Sequence, residues 1–375
     1  MWLTEPLEIT METATHAVYG GAVLGGGGGG SIEEGLKLAR LAVELRPPRL
    51  INSDEMDPDS MVVTVAAVGS PAARDQMVRP LDYVEAVLKL QQMTGFVFEG
   101  IISNENGGMA TVNGWLQSSV LRIPVVDCAC NGRAHPTSVM GAMGLDAMEG
   151  YISHQVAIGG DPKTGRYVQV SVSASLREAS RLVREAAISA GGLVAVARNP
   201  VSVGYAEEYG APGAISMAIS VGQALLTANS PQQGAERVAN MLRGQVLAQA
   251  VISDVELRTE GGYDVGLVRL EGGWELTFWN EYMTLEKDGE RLATFPDLIV
   301  TLAADELRPL GSAEVTKGRE VILLTAPKDE LILGEGMRRP ELFEPAEKAI
   351  GKPLIPYAFA PKRSRRRTRR RSSES

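Results

Sequence analysis

Residues 96–130 read FVFEGIISNENGGMATVNGWLQSSVLRIPVVDCAC, and they alternate strand-like and helix-like patterns. The apolar runs at Phe96–Ser103 and 123–130 have the length and composition of buried strands. Between them, Gly114–Val120 has the pattern of a short helix. A strand, a helix and a second strand in this order predict parallel strands joined by a crossover. We therefore expect a layered α/β domain.

The same alternation extends over the first two thirds of the chain. The run MVVTVAAVG at Met61–Gly69 predicts another buried strand, and the helical pattern that begins at Pro80 ends at Gly95. Ser31, with Glu34 three residues later, is typical of a helix start with a capping box. Two more helices are predicted at 175–192 and 215–228. We assign residues 1–245 to this α/β domain, completed by residues 336–361.

The pattern changes near Gln245, where short strands and turn pairs replace the helices. Gly272-Gly273 and Asp288-Gly289 are hairpin signals between apolar runs. Residues 246–335 are therefore predicted to form a smaller antiparallel β-barrel-like or sandwich domain. The fold class expected for the whole chain is α/β with this smaller antiparallel domain.

Charge is distributed unevenly along the 375 residues. Residues 362–375 contain eight basic residues and one acid; since the chain carries −9 overall and this tail +7, the rest carries −16. A run of like charge without apolar residues is expected to be disordered. An arm for nucleic acid or another polyanion is the alternative, but the acidic body opposes such binding, so nucleic acid is not expected as a partner.

The chain has no apolar run of membrane-spanning length, and its first residues lack the basic and apolar regions of a secretory signal. Its two cysteines cannot form a disulfide framework. These features predict a cytoplasmic protein that does not enter membranes. The sequence leaves a homo-oligomer open.

Six consecutive glycines, Gly25–Gly30, precede the helix that Ser31 begins. The run has no GK[ST] ending and does not match a dinucleotide fingerprint. Two interpretations remain open: a row of backbone N–H donors for a neutral or singly charged ligand, supplied by Gly26, Gly27, Gly28 and Gly29, or a tight turn with close packing.

A second polar loop follows the strand that ends near Ser103. Asn104, Glu105 and Asn106 lie at the carboxyl end of this strand, where open α/β sheets bind ligands, and Gly107 and Gly108 come directly after them. Glu105 is a candidate general base or metal ligand. Local turn and capping contacts are the alternative role for these side chains.

The third loop is the richest in reactive side chains. An apolar strand leads into Asp127, Cys128, Cys130, Asn131, Arg133 and His135. Cys128, Cys130 and His135 could hold zinc with one open position. Alternatively, a thiolate of Cys130 near Arg133 and His135 could act as a nucleophile, or the cysteines could be inert core residues. No other cofactor is indicated by the sequence.

Three further polar residues lie outside these loops. Asn280 is placed on the apolar face of a predicted strand that runs through FWNEYM, so it needs a partner or a ligand there. His154 is interpreted as a core histidine rather than a metal ligand, and His16 has no motif around it.

The motifs GGGGG, ENGG, PVVDCACNGRAHPT, NEYM and PDLI, in this order, resemble the S-methyl thiohydantoin desulfurase family, whose members often lie beside hydantoinase-type genes. The resemblance extends from about Gly20 to Pro356. It implies an α/β N-terminal domain and a β-barrel-like C-terminal domain. Many members carry acidic or other residues where this chain has Cys128 and Cys130, so the cysteines mark a subfamily. The arginine-rich tail is also not a feature of the family.

The resemblance also implies a hydrolase that acts on a five-membered cyclic amide or an S-methyl thiohydantoin-like ring. Water would add to the ring carbon that bears the S-methyl group, and methanethiol would leave. Asp127 and Glu105 would activate the water or hold a metal, while Arg133 and Asn106 would orient the ring. Gly107, Gly108, Asn131 and Asn280 would also bind the substrate. The alternative is a non-catalytic, ligand-binding partner subunit of a hydantoinase or oxoprolinase-like enzyme.

Overall fold

The computed structural model describes residues 5–70, 73 and 75–360, which form two sheets with helices packed around them. The helices are α1 (Met11–Gly25), α2 (Ile32–Leu45), α3 (Pro80–Thr94), α4 (Trp115–Leu121), α5 (Leu176–Ser189), α6 (Val203–Tyr209), α7 (Ala214–Leu226), α8 (Pro231–Met241), α9 (Glu344–Ile350) and α10 (Ile355–Ala358). The α/β class is confirmed.

The first sheet has nine strands in the first 212 residues. They are β1 (Leu7–Glu8), β2 (Arg49–Ile51), β3 (Met61–Gly69), β4 (Gly100–Glu105), β5 (Val125–Asn131), β6 (Ser153–Gly159), β7 (Val168–Ala174), β8 (Leu193–Ser202) and β9 (Ala211–Pro212). Their order is β1-β2-β5-β4-β3-β8-β6-β7, with β9 beside β5. Only the central pairs β2–β5, β5–β4 and β4–β3 are parallel, so the expected βαβ units occupy the middle of a mixed sheet.

The residues around the six-glycine run form two helices rather than one. Ser31 caps α2 as expected, since its hydroxyl accepts a hydrogen bond from the Glu34 backbone N–H. The Glu34 side chain pairs instead with Lys37. The preceding helix α1, which was not predicted, packs on α7 with the two backbones in contact: a Cβ on Gly20 would lie 1.8 Å from the Ala218 carbonyl oxygen.

The second sheet has eight strands, and each neighbouring pair is antiparallel as expected. They are β10 (Gln245–Glu260), β11 (Tyr263–Leu270), β12 (Trp274–Trp279), β13 (Glu281–Lys287), β14 (Glu290–Thr294), β15 (Leu298–Ala303), β16 (Pro309–Leu310) and β17 (Glu320–Ala326). The predicted hairpins lie at Gly272-Gly273 and Asp288-Gly289.

The prediction of a barrel was wrong. The strand order β14-β13-β12-β11-β10-β17-β15-β16 has two free ends, and no closed barrel forms within residues 5–70, 73 and 75–360. Turn pairs and alternating apolar residues predict hairpins in a closed barrel and in an open sheet alike. Closure depends on long-range strand pairing, which these local patterns do not specify.

The segment after β17 packs on the second sheet. Phe343, Ala346 and Leu354 are buried against strand residues that include Trp279, and Met140 of the first part of the chain joins the same cluster. We expected residues 336–361 to complete the α/β domain, but the described part of this segment, residues 336–360, makes its apolar contacts mainly with the second sheet. The domain boundaries themselves remain predictions.

No helix in the described part of the chain is long and apolar enough to cross a membrane. The predicted disordered tail, residues 362–375, lies outside the described residues.

Candidate functional site

A cavity of about 230 Å³ lies where the glycine loop, the first sheet and the second sheet meet. Residues 65–69 of β3 form an apolar wall. Glu105, His135 and Arg198 line the cavity from the first part of the chain, and Asn280 and Glu281 line it from the second sheet. Ionisable groups thus reach one small pocket from both sheets.

The glycine loop covers this cavity, and packing explains three of its glycines. A Cβ on Gly28 would lie 2.0 Å from the Glu281 carboxyl Oε1. On Gly29 it would lie 2.5 Å from the Gly107 Cα, and Gly27 and Gly29 have φ angles of +96° and +80°. Only glycine fits at these three positions without a steric clash or backbone strain.

Some backbone donors of the loop remain available to a ligand. The N–H groups of Gly26 and Gly28 donate within the loop, to Val23 and Gly25. Those of Gly27 and Gly29 make no hydrogen bond to the described residues, and both glycines line the cavity, whereas Gly26 does not. The tight-turn interpretation is thus supported by the packing, and a donor role toward a ligand stays a prediction for Gly27 and Gly29.

Four side chains form a chain of polar contacts along one side of the cavity. Arg198 Nη2 donates to Asn104 Oδ1 at 2.5 Å, and Asn104 Nδ2 lies 3.3 Å from His135 Nε2. His135 Nδ1 lies 2.9 Å from Glu105 Oε2. We call Arg198, Asn104, His135 and Glu105 the relay.

The relay fixes the proton positions. Because Arg198 can only donate, its partner on Asn104 must be the carbonyl oxygen, and the amide nitrogen of Asn104 must face His135. That nitrogen donates, so His135 Nε2 accepts and the proton lies on Nδ1, which lies 3.4 Å from the Arg133 carbonyl oxygen and 2.9 Å from Glu105 Oε2. The relay therefore holds the Glu105 carboxylate in one orientation.

Glu105 has one oxygen left for a ligand. Its Oε2 accepts from the His135 backbone N–H at 3.3 Å and from Asn104 Nδ2 at 3.3 Å, and His135 Nδ1 lies 2.9 Å from it. No hydrogen bond to Oε1 is present within the described residues. A carboxylate with one anchored and one free oxygen at a cavity has the arrangement of a general base.

Glu281 and Arg133 are buried ionisable groups that contact the glycine loop at Gly28 and Gly26. Burial raises the pKa of Glu281 well above its ordinary value, and the charge of Glu105 raises it further. Burial lowers the pKa of Arg133 to about 10. Arg133 Nη1 donates to the backbone carbonyls of Pro296 at 3.0 Å and Asp297 at 2.5 Å, and its guanidinium lies 4.5 Å from the Phe295 ring centroid. Arg133 therefore joins the two sheets.

Both parts of the chain match domains of one protein family. Residues 13–161 match the S-Me-THD-like N-terminal domain, and residues 174–343 match the S-Me-THD-like C-terminal domain. The chain belongs to the S-Me-THD-like family. The family resemblance seen in the sequence motifs is thereby confirmed.

A crystal structure of a protein from Chromobacterium violaceum resembles this S-Me-THD-like chain in fold. The TM-score is 0.66 at 20% sequence identity, with 91% of this chain and 96% of that chain covered. A search of curated proteins found no match.

The structure places Asp127 of the S-Me-THD-like chain outside the cavity. Its Oδ1 accepts from the backbone N–H groups of Ile215 at 2.9 Å and Ser216 at 3.1 Å, and its Oδ2 accepts from the Ser216 hydroxyl. Asp127 is fully buried, and burial raises its pKa. The side chain that we expected to activate water caps the first turn of α7 instead.

Because Asp127 caps α7, we expect Asp127→Ala to lose stability rather than activity. We expect the free energy of unfolding to fall by about 1–2 kcal/mol, as for loss of a helix cap, while turnover per folded molecule stays near wild type. Urea unfolding and an activity assay on the same preparation test this. Asp127→Asn keeps an acceptor for the Ile215 and Ser216 N–H groups and should lose less stability. A large loss of turnover in both folded variants would return Asp127 to the mechanism.

The zinc ligands predicted from the sequence do not come together. Cys130 Sγ lies 3.3 Å from Thr64 Oγ1, and Cys128 Sγ lies 3.5 Å from the Ala206 carbonyl oxygen, while His135 belongs to the relay. Within the described ranges, no group of three metal-binding side chains forms. Burial raises the pKa of both thiols, that of Cys130 to about 11, which disfavours a thiolate nucleophile.

Two predicted substrate-binding asparagines organise loops around the site. Asn106 donates to the carbonyls of Gly132 at 3.1 Å and Ala214 at 2.9 Å and accepts from Thr111. Asn131 donates to the Arg133 carbonyl at 2.8 Å and accepts from the Gly334 N–H. Every polar atom of these two amides is thus bound within the protein.

Gly107 and Gly108, also predicted to bind substrate, are the contact points of the second loop with the glycine loop. A Cβ on Gly107 would lie 2.3 Å from the Gly29 Cα, and one on Gly108 would lie 2.7 Å from the Gly30 carbonyl oxygen. Neither residue lines the cavity. His154 lies elsewhere, with its Nδ1 2.8 Å from the Ser173 hydroxyl.

Asn280 is a turn residue rather than a strand residue. It connects β12 and β13 with φ +59°, and Trp279 pairs directly with Glu281 across it. Its N–H donates to the Asp264 carbonyl at 2.7 Å, and its Oδ1 accepts from the Asp264 N–H at 2.9 Å. The polar side chain therefore has a protein partner, although Asn280 also lines the cavity.

Sequence reasoning missed Arg198 and Glu281. Arg198 is the single charged residue of the strand-like run LVAVARNPVS, and a lone arginine in a buried strand was an available signal. Glu281 directly follows Asn280 and was missed because the turn at Asn280 was not recognised.

Proposed function

We propose that this protein is a hydrolase that acts on a five-membered S-methyl thiohydantoin-like ring. Water would add to the ring carbon that bears the S-methyl group, and methanethiol would leave to give a hydantoin. The S-Me-THD-like family membership supports a thiohydantoin-related function. The arrangement of the cavity supports the hydrolytic step.

The observation that carries the proposal is the anchored carboxylate of Glu105. His135 and Asn104 hold its Oε2, which leaves Oε1 for a water molecule. General base catalysis by a positioned side chain contributes about 10²–10⁴-fold to rate. In this proposal, Glu105 takes a proton from the attacking water, and His135 is a positioning residue.

Arg198 supplies the opposite charge. Its side chain is buried at the cavity, and its Nε and Nη1 have no hydrogen-bond partner within the described residues. Unpaired donors on a buried cation are costly unless a ligand accepts from them. A ring carbonyl oxygen, or a ring nitrogen that becomes negative when water adds, would accept these bonds and be stabilised.

The shape of the pocket suits a small flat ring. The volume of about 230 Å³ leaves room for a five-membered ring with short substituents. Val65 and the residues that follow it in β3 offer an apolar wall to the ring face, and the free N–H groups of Gly27 and Gly29 lie at the cover.

The purified protein should release methanethiol and hydantoin in equal amounts from S-methyl thiohydantoin. In H₂¹⁸O, mass spectrometry should find one ¹⁸O atom in each product hydantoin, because the new carbonyl oxygen comes from water. Ligand binding without thiol release would contradict the proposal and would indicate the non-catalytic partner subunit instead.

A further inference from the structure

We propose that Glu281 is the general acid that protonates the departing sulfur, an inference that rests on the proposed hydrolytic function. No sequence motif assigned a role to this residue. The second sheet supplies it, whereas the general base Glu105 comes from the first.

The turn at Asn280 directs Glu281 into the cavity. Asn280 has a left-handed backbone and is held by three hydrogen bonds: two to the Asp264 backbone and one from the Ser312 hydroxyl to its own carbonyl. Such a conformation is costly for a residue with a side chain and persists where its surroundings hold it. Glu281, the first residue of β13, therefore lies at a fixed point of the cavity wall.

The Glu281 carboxyl is buried but incompletely bonded. The residue is 2% exposed, and its Oε2 has no hydrogen-bond partner within the described residues. Its Oε1 lies against the backbone of Gly28, where a Cβ would approach to 2.0 Å. The free Oε2 is thus an unpartnered polar atom of a residue that lines the cavity.

The surrounding charges favour the protonated form of Glu281. Burial raises its pKa well above the ordinary value, and Glu105 across the cavity raises it further, while Arg133 and Arg184 act in the opposite direction. A neutral carboxylic acid that faces an ionised carboxylate is the arrangement by which one site holds both an acid and a base. Glu281 can then donate a proton that Glu105 cannot.

The proposed step forms one carbon–oxygen bond and breaks one carbon–sulfur bond. Water adds to the ring carbon and gives one proton to Glu105, and its oxygen becomes the new carbonyl oxygen. The carbon–sulfur bond breaks with its electron pair on sulfur, and Glu281 gives sulfur its proton, so that methanethiol leaves. The second proton of the water ends on the ring nitrogen, and the proton held by Glu105 returns to Glu281 through solvent. No oxidant, reductant or metal enters the balance.

The test compares two leaving groups in one ring. S-methyl and S-(2,2,2-trifluoroethyl) thiohydantoin are assayed for kcat/KM with the wild type and with Glu281→Gln. Methanethiolate is strongly basic and needs a proton to leave, whereas the fluorinated thiolate is a far weaker base. We expect Glu281→Gln to slow the S-methyl substrate by about 10²-fold or more and the fluorinated substrate by much less.

Glu105→Gln should slow both substrates alike, since both need activated water. Rapid turnover of the fluorinated substrate by Glu281→Gln would also show that this variant is folded; if it does not fold, the apolar variant Glu281→Met replaces it in the comparison. An equal loss for both substrates would overturn the role of Glu281 and leave the hydrolase intact. If the wild type turns over neither substrate, the proposed function fails instead.

Discussion

Glu105→Gln is expected to lower kcat for the ring substrate by about 10²–10⁴-fold while the fold is retained. The glutamine carbonyl can replace Oε2 as the acceptor from His135 and Asn104, because the side chains have the same shape. The amide nitrogen then occupies the position of Oε1, where it cannot take a proton from water. Binding of the substrate should therefore persist while hydrolysis is lost.

Single-turnover kinetics and a binding titration measure this separation. Glu178→Gln is the matched control, since Glu178 lies on the exposed side of α5 and pairs with Arg181. It should behave as the wild type. If Glu105→Gln turned over substrate at the wild-type rate, the relay would have no part in water activation.

The second large effect is expected from Arg198→Met. We expect kcat/KM to fall by about 10²–10³-fold, as when a donor to a developing negative charge is removed. The free energy of unfolding should be unchanged or higher. Burial lowers the pKa of Arg198, so its charge is costly in the folded protein, and replacing a buried charge by an apolar side chain is often neutral or stabilising.

A urea titration and steady-state kinetics on the same preparation test this pair of effects. Arg181→Met changes an exposed arginine of α5 in the same way and should alter neither quantity. Arg198→Lys keeps the charge but has no planar set of donors, so it should recover activity only in part. A strong loss of stability in Arg198→Met would mean that the arginine serves the fold.

Local sequence patterns predicted the parts of the site that lie at strand ends. Glu105 ends β4 and His135 follows β5, and these strands are neighbours in the sheet. The rule that ligands bind at the carboxyl ends of parallel strands predicted both residues at one edge. The hairpins of the second sheet were predictable because turn pairs specify them locally. That this sheet stays open could not be predicted, since closure of a sheet depends on pairing between distant strands.

The chemistry of individual side chains depended on contacts that spacing does not reveal. Asp127 of β5 and Glu105 of β4 are both carboxylates of neighbouring strands, yet one caps α7 and the other faces the cavity. Cys128 and Cys130 share a face of β5, but burial leaves them as thiols in the core. Arg198 lies in β8, far along the chain from Asn104, and only the folded sheet brings the two together.

The burial of Arg133 has a consequence for exchanging halves between relatives. Arg133 belongs to the loop after β5, and its guanidinium donates to the carbonyls of Pro296 and Asp297 beside the Phe295 ring. A chimera that joins the N-terminal half of this chain to another C-terminal half would have to bring those acceptors in the same place, or it would bury a cation without partners. The two halves are therefore matched at this contact as well as at the pocket, and they are not interchangeable modules.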